Sequence, residues 1–338
     1  MKDLDIVILA AGKGERMASR KPKVMHEIMG KPLLGYVVDA ARTLEPARIV
    51  VVTGYGRETV EAYLEEKDVA TAFQETQKGT AHALASARGH LEGNDVLVLL
   101  GDVPLIEDST LVQFLEFCRA SASIVFLTTD VTDPSGYGRV VMDGDIIADI
   151  REDADATAAE KLIPRINTGI CYIPFQDLGL IDLIDTANRK GERYLTDICK
   201  VARASGRHAK GFCHPLADEV LGVNTLKGLL EANTVMRQRI NEGHMARGVT
   251  FLDTDIYVES DVVIGQGTVI APHCHIAGTT VIGEWVYIGP SSIIRNCRIG
   301  NNVTIAGLVF MEGVEAKEGV RIGALSRFKQ DMVIEGRA

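Results

Sequence analysis

No stretch of the 338-residue chain stays apolar for long. Runs such as Ile6 to Ala11 and Val96 to Leu100 fall far short of the roughly 20 residues a membrane-spanning helix needs. The opening Met-Lys-Asp-Leu-Asp lacks the pattern of a signal peptide, so a cytoplasmic protein is expected. Positive charge is also scarce: 36 Lys and Arg stand against 46 Asp and Glu, a net charge of -10. That balance gives no field for a nucleic-acid backbone or an anionic membrane, and any anion must be bound locally. The 6 cysteines include no C-x-x-C pair, which excludes the disulfide framework of a small secreted domain. Histidine forms no H-E-x-x-H. The one tight cluster, His273-Cys274-His275, reads as an extended segment with both rings on one side, and a closed zinc site would need further ligands.

Apolar residues at 46% and charged residues at 24% match chains that fold into packed cores. At 338 residues the chain exceeds the roughly 250 to 300 at which one core stops growing, so two domains are expected. Up to about residue 225, apolar runs at Asp5 to Ala10, Arg48 to Thr53, Asp95 to Leu100 and Ser123 to Thr129 read as strands covered on both faces. Between them, Lys31 to Leu44, Arg57 to Glu66, Thr80 to Leu91 and Asp108 to Ala120 are long enough for crossover helices. The fold class is α/β: a Rossmann-like, mostly parallel sheet with helices on both faces. Asp143-Gly144-Asp145 marks a β-hairpin within Gly136 to Arg151, inserted at the sheet's far edge. Helices are expected over 175–190, 194–205 and 225–242, the last as a connector.

The remainder repeats. Ile264, Ile270, Ile276, Ile282, Ile288 and Ile294 follow a six-residue step, with Ile299 after one five-residue step and then Ile305. Gly or Ala follows most of them, and Thr268, Cys274, Thr280, Val286, Ser292 and Val303 recur four residues after an Ile. A left-handed parallel β-helix of about four coils accounts for this: Ile fills the prism and the next residue must be small at a corner. The expected organisation is a domain over 1–224, a connecting helix over 225–248 and the β-helix over 249–338. The chain stops at Val333 to Ala338, in what reads as another rung without a capping repeat, so a C-terminal truncation is expected.

Chemistry concentrates after the first strand, at Leu9-Ala10-Ala11-Gly12-Lys13-Gly14-Glu15-Arg16-Met17 and Pro22-Lys23-Val24. This is neither a Walker loop nor a dinucleotide fingerprint, since Met17 stands where the latter wants Gly. It is a Gly-rich turn at a strand's carboxyl end, where open α/β sheets place ligands. Lys13, Arg16, Arg20, Lys21 and Lys23 would supply charge to a phosphate there; a solvated basic loop is the plain alternative.

The L-A-A-G-x-G-x-R-M stretch followed by P-K resembles the signature of sugar-1-phosphate nucleotidyltransferases. Gln74 to Ala83, Gly101-Asp102-Val103-Pro104-Leu105, Gly136-Tyr137-Gly138-Arg139, Glu152, Ile166-Asn167-Thr168-Gly169, Tyr194-Leu195-Thr196-Asp197 and Gly222-Val223-Asn224 follow in the same order. With the β-helix, the chain is similar to the N-terminal half of bifunctional N-acetylglucosamine-1-phosphate uridyltransferases/glucosamine-1-phosphate acetyltransferases. The resemblance implies that Leu9, Ala10 and Gly12 hold the uridine and that Gln74, Gly79 and Thr80 read the uracil. It further implies Mg²⁺ on Asp102 and Asn224, the sugar phosphate on Gly138, Glu152, Asn167 and Thr196, and transition-state contacts from Arg16 and Lys23. UTP and N-acetylglucosamine 1-phosphate are the implied substrates, and a homotrimer through the β-helix the implied assembly. Leu100 and Lys78 depart from the family's usual residues, which implies shifted affinity. Acetyl transfer is not expected of these residues, because the family's acetyltransferase residues lie on later coils. A glucose-1-phosphate uridyl- or thymidylyltransferase, and a non-catalytic sugar-nucleotide binder on the same fold, are the alternatives.

Overall fold

The computed structural model of the protein describes residues 3–336. The chain forms two compact units: residues through His26 with Pro32–Gly228, and Glu27–Lys31 with the residues from Leu229 onward. The short segment 27–31 joins the second unit through hydrogen bonds. Met29 N–H donates to Asn233 Oδ1 at 3.1 Å, and Ser260 N–H donates to the Met29 carbonyl at 3.0 Å.

In the first unit, strands β1 (Leu4–Leu9), β2 (Arg48–Thr53), β3 (Ala70–Phe73), β4 (Asp95–Leu100), β5 (Ile124–Asp130), β6 (Arg139–Asp143), β7 (Ile146–Arg151), β8 (Arg165–Ile173) and β9 (Ala209–His214) make one sheet. Their order is β3-β2-β1-β4-β8-β5-β9-β7-β6. Strands β3, β2, β1 and β4 are parallel, as their continuous β-branched runs require. β8 runs antiparallel to both β4 and β5, and the β6–β7 hairpin occupies the far edge, turning at Gly144 with φ 63°. Helices α1 (Leu33–Thr43), α2 (Arg57–Leu64), α3 (Thr80–Ala87), α4 (Asp108–Ser121) and α5 (Ile198–Ala204) cover the sheet. Residues of α1, α2 and α4 share one core with Ile6, Ile8, Leu97 and Leu99, while α3 and α5 share the opposite core with Val7, Val50, Val96 and Val98. Alternate residues of β1 thus feed two cores, the mark of a sheet buried on both sides.

The helix expected over 175–190 is shorter and tighter, a 3-10 run over Phe175–Leu183. Arg193 accounts for the stop. Its guanidinium donates to the carbonyls of Ile181 at 2.6 Å and Ile184 at 3.0 Å, the acceptors a continuing helix would use. The connector helix runs over Leu226–Ala246, longer than the 225–242 of the helical pattern and within the 225–248 of the expected connecting segment. Among the described residues no helix is long and apolar enough to cross a membrane.

The second unit is a left-handed parallel β-helix with three sheets of five strands each, so it has five rungs where about four were expected. Ile270, Ile288, Ile305 and Ile322 stack in one column, Ile276, Ile294 and Met311 in a second, and Ile264, Ile282, Ile299 and Ala316 in the third. All are buried. The hydroxyls four positions on replace water for the corner carbonyls: Thr268 Oγ1 donates to Gly283 at 2.9 Å and Ser292 Oγ to Gly289 at 2.8 Å. Val333 and Ile334 pair with Glu315 and Ala316 in the last rung, while Arg337 and Ala338 lie outside the described residues.

The His273-Cys274-His275 reading needs correction. His273 turns a corner at φ 60°, so the segment is not one extended strand. Cys274 is buried in the prism and His275 stacks on Tyr257 at 4.4 Å between ring centroids. Among the described residues no group of three or more His, Cys, Asp or Glu is placed to hold a metal.

The corner glycines differ in a checkable way. A Cβ on Gly265 would lie 2.5 Å from the carbonyl carbon of Gly283, whereas one on Gly323 would meet nothing within 4 Å. Gly265→Ala should cost about 1 to 3 kcal/mol in thermal or denaturant unfolding, and Gly323→Ala should be close to neutral. Equal effects would mean the corners do not stack backbone on backbone.

Candidate functional site

The strand order places a crevice at the carboxyl ends of β1 and β4, where successive connections leave β1 in opposite directions. Leu9 and Ala10 line its floor through their main chain: Gly101 N–H donates to the Leu9 carbonyl at 3.0 Å and Ala10 N–H to Val52 at 2.9 Å. Gln77 Nε2 closes over this turn by donating to the Ala11 carbonyl at 3.1 Å. A Cβ on Gly12 would meet nothing within 4 Å, so this stretch of backbone faces open space. Gly14, at φ 68°, then turns the chain into a short 3-10 turn over Glu15–Met17.

That turn and the next bring four of the sequence-predicted residues together. Lys23 Nζ pairs with Asp102 Oδ2 in a close ion pair, the two side chains 16% and 8% exposed. Lys23 Nζ also donates to Asn224 Oδ1 at 3.2 Å, and Arg16 Nη2 donates to the same oxygen at 3.1 Å. Asn224 is held in turn by donating Nδ2 to the Gly222 carbonyl at 3.0 Å, and Val223 N–H donates to the Asp102 carbonyl at 2.8 Å. Segments 13–23, 101–105 and 222–224 therefore converge on one ammonium. The carboxylate of Asp102 and the amide oxygen of Asn224 are hard donors aimed at one cationic point, which fits Mg²⁺; two protein ligands suit an ion that keeps water and phosphate in its other positions. Tyr137 stands beside this cluster: burial, then the Asp102 carboxylate, raise its hydroxyl pKa, against the opposing charge of Arg16.

The second group lies after β3. Gln74 is buried, and its Nε2 sits 3.1 Å from the Gly79 carbonyl and 3.0 Å from His82 Nδ1. Gly79 takes φ 101°, and a Cβ there would collide with the main chain of Arg193, so only glycine fits. Thr80 opens α3, but its Oγ1 accepts from Leu195 N–H at 2.8 Å, a structural tie that the sequence did not suggest. Arg193 N–H also donates to Lys78 at 2.8 Å, and Ala81 N–H to Arg193 at 2.9 Å. The 78–81 loop and the 193–195 segment form one ladder of hydrogen bonds.

Gly138, Glu152, Asn167 and Thr196 make the third group. Thr196 Oγ1 donates to Glu152 Oε1 at 3.1 Å, and Asn167 N–H to the Gly138 carbonyl at 2.8 Å. Asn167 opens a β-bulge in β8, completed by Gly169 at φ 86°, and the bulge re-aims this residue. Burial raises the Glu152 carboxyl pKa most; the Thr196 hydrogen bond and Lys190 oppose it, and Asp197 and Asp155 add to it. Arg139, 1% exposed, braces this group by donating to the Tyr137 carbonyl and to Asp153 Oδ1 at 3.0 Å. Gln77, Tyr137 and Arg139 all lie inside stretches whose pattern is visible in the sequence. Nothing in the sequence marks Arg193, whose partners are main-chain carbonyls.

Residues 6–169 match the MobA-like NTP transferase domain, and residues 261–296 match the bacterial transferase hexapeptide (six repeats). The bifunctional protein GlmU of Geotalea uraniireducens is 42% identical over 363 aligned positions, which cover 99% of this chain and 79% of that protein. The bifunctional protein GlmU of Thermoanaerobacter pseudethanolicus is 39% identical over 342 positions, covering 99% and 74%. A crystal structure of UDP-glucose pyrophosphorylase complexed with UDP-glucose superposes with a TM-score of 0.57 at 19% identity, covering 71% of this chain and 100% of that one, a likeness of fold. With its nucleotidyltransferase domain and hexapeptide β-helix, the chain belongs to the bifunctional GlmU family.

Proposed function

We propose that the first unit joins UTP and N-acetylglucosamine 1-phosphate into UDP-N-acetylglucosamine and pyrophosphate. The observation that carries this reading is the convergence of Arg16, Lys23, Asp102 and Asn224 beside an open glycine turn. A phosphate oxygen of the sugar attacks the α-phosphorus of UTP, the new P–O bond forms, and the bond to the β-phosphate breaks to release pyrophosphate. The attacking oxygen is already anionic, so no side chain has to remove a proton. The protein's task is alignment and charge neutralisation.

Leu9, Ala10 and Gly12 let the nucleotide approach the backbone, while Gln74, Gly79 and Thr80 face its base. Glu152, Asn167, Gly138 and Thr196 hold the sugar phosphate. Arg16 and Lys23 offset charge on the departing pyrophosphate, and Lys23 leaves Asp102 for phosphate as the substrates enter. Mg²⁺ held by Asp102 and Asn224 would neutralise the α-phosphoryl oxygens. The assignment is confined to this transfer and makes no claim for acetyl transfer.

Pyrophosphate release should appear with UTP and N-acetylglucosamine 1-phosphate, and Asp102→Ala should lower kcat by orders of magnitude in a protein that still unfolds cooperatively. Faster turnover of glucose 1-phosphate or of dTTP in the same assay would replace the substrate assignment. Tight UDP-sugar binding without turnover under any metal would replace catalysis by binding.

Glu152 gives a second test, joining stability to function. Because folding raises its pKa, the wild-type protein loses stability as pH climbs from the unfolded to the folded pKa of this group. Glu152→Gln lacks that loss. Its thermal midpoint relative to wild type should therefore rise between acidic and neutral pH, while its KM for the sugar phosphate increases about tenfold. A KM change confined to UTP would place Glu152 outside the sugar site.

A further inference from the structure

Gln74 makes two hydrogen bonds through one atom, and their chemistry fixes what the rest of its side chain offers. The Gly79 carbonyl, 3.1 Å from the side-chain nitrogen, can only accept, so the amide must turn its NH₂ toward it. The second hydrogen of that NH₂ points at His82 Nδ1, 3.0 Å away. A nitrogen that receives a hydrogen bond carries no proton, so the His82 ring is neutral, with its hydrogen on Nε2. Both amide hydrogens are consumed, and among the described residues Oε1 has no hydrogen-bond partner. The main chain is equally fixed, with Gln74 N–H donating to Thr53 at 2.8 Å.

We propose that His82 is a positioning residue for base selection: it locks the Gln74 amide so that Oε1, an acceptor only, faces the nucleobase and admits a pyrimidine whose ring N3 bears hydrogen. This rests on the proposed nucleotide site. Uracil carries that hydrogen and cytosine presents a lone pair at the same atom, so the locked amide attracts the first and repels the second. The surroundings keep the ring in the required form. Burial chiefly, then the positive charges of Lys78 from the preceding loop and Arg193 from the facing segment, disfavour a proton on His82; the main chain of Thr76 favours one. Protonation would set an Nδ1–H against the amide NH₂ and break the arrangement.

The test is equilibrium binding of UTP and CTP to the full chain by calorimetry, with wild type, His82→Ala and His82→Asn. Asparagine places an oxygen acceptor near the position of Nδ1. His82→Ala should weaken UTP binding and narrow the UTP-over-CTP preference, each by roughly five- to tenfold, the effect of one hydrogen bond. His82→Asn should recover most of both, and the KM for the sugar phosphate should stay put in each variant. An unchanged base preference in His82→Ala, or an Asn variant no better than Ala, overturns the proposal. Nitrogen NMR of the wild-type His82 ring reads the same point without a variant: an unprotonated Nδ1 is expected, and a protonated one refutes it. Nucleotide binding does not require turnover. A protein that prefers UTP yet releases no pyrophosphate would therefore remove the catalytic reading and leave this one standing.

Discussion

One ammonium holds the working edge of the sheet together. Lys23 reaches the carboxylate of Asp102 and the amide oxygen of Asn224, residues 79 and 201 positions away along the chain. The 3-10 turn that Lys23 opens and the two loop segments carrying Asp102 and Asn224 are thereby fixed against one another. In a largely dry setting such a pair is worth keeping only if both partners stay satisfied, since a lone buried charge left behind costs several kcal/mol. The ligand-free protein meets that condition internally. Under the proposed function, a substrate phosphate, which brings its own negative charge, would take the cation without leaving it unpaired and free the carboxylate for a divalent ion.

Much of this was legible in the sequence because it depends on local pattern. Unbroken Val, Ile and Leu runs gave the parallel strands, Asp143-Gly144-Asp145 the hairpin, and the six-residue isoleucine step the columns of the β-helix. The family resemblance implied roles for Arg16, Lys23, Asp102 and Asn224, and the fold gathers these four side chains. The site residues fall into three spatial groups that the sequence order interleaves.

The missed features share a cause: they are contacts to main-chain atoms, and any residue provides a carbonyl. Arg193 ends the run over Phe175–Leu183 by binding the Ile181 and Ile184 carbonyls, so an apolar helical pattern stopped early for a reason outside its own residues. Thr80 also takes on a structural tie, its oxygen accepting from Leu195 N–H. His273 sits in a left-handed corner that its neighbours' alternation does not announce. The segment 27–31 carries no boundary signal either, and its place in the second unit follows from bonds to Asn233 and Ser260.

The ladder of hydrogen bonds ties residues 78–81, which belong to the proposed base site, to residues 193–195, next to Thr196 of the proposed sugar site. Thr196, at the end of that ladder, touches Glu152. Under the proposed function, the loop beside the base and the partner of the Glu152 carboxylate belong to one continuous run of hydrogen bonds, so the two sites share a scaffold.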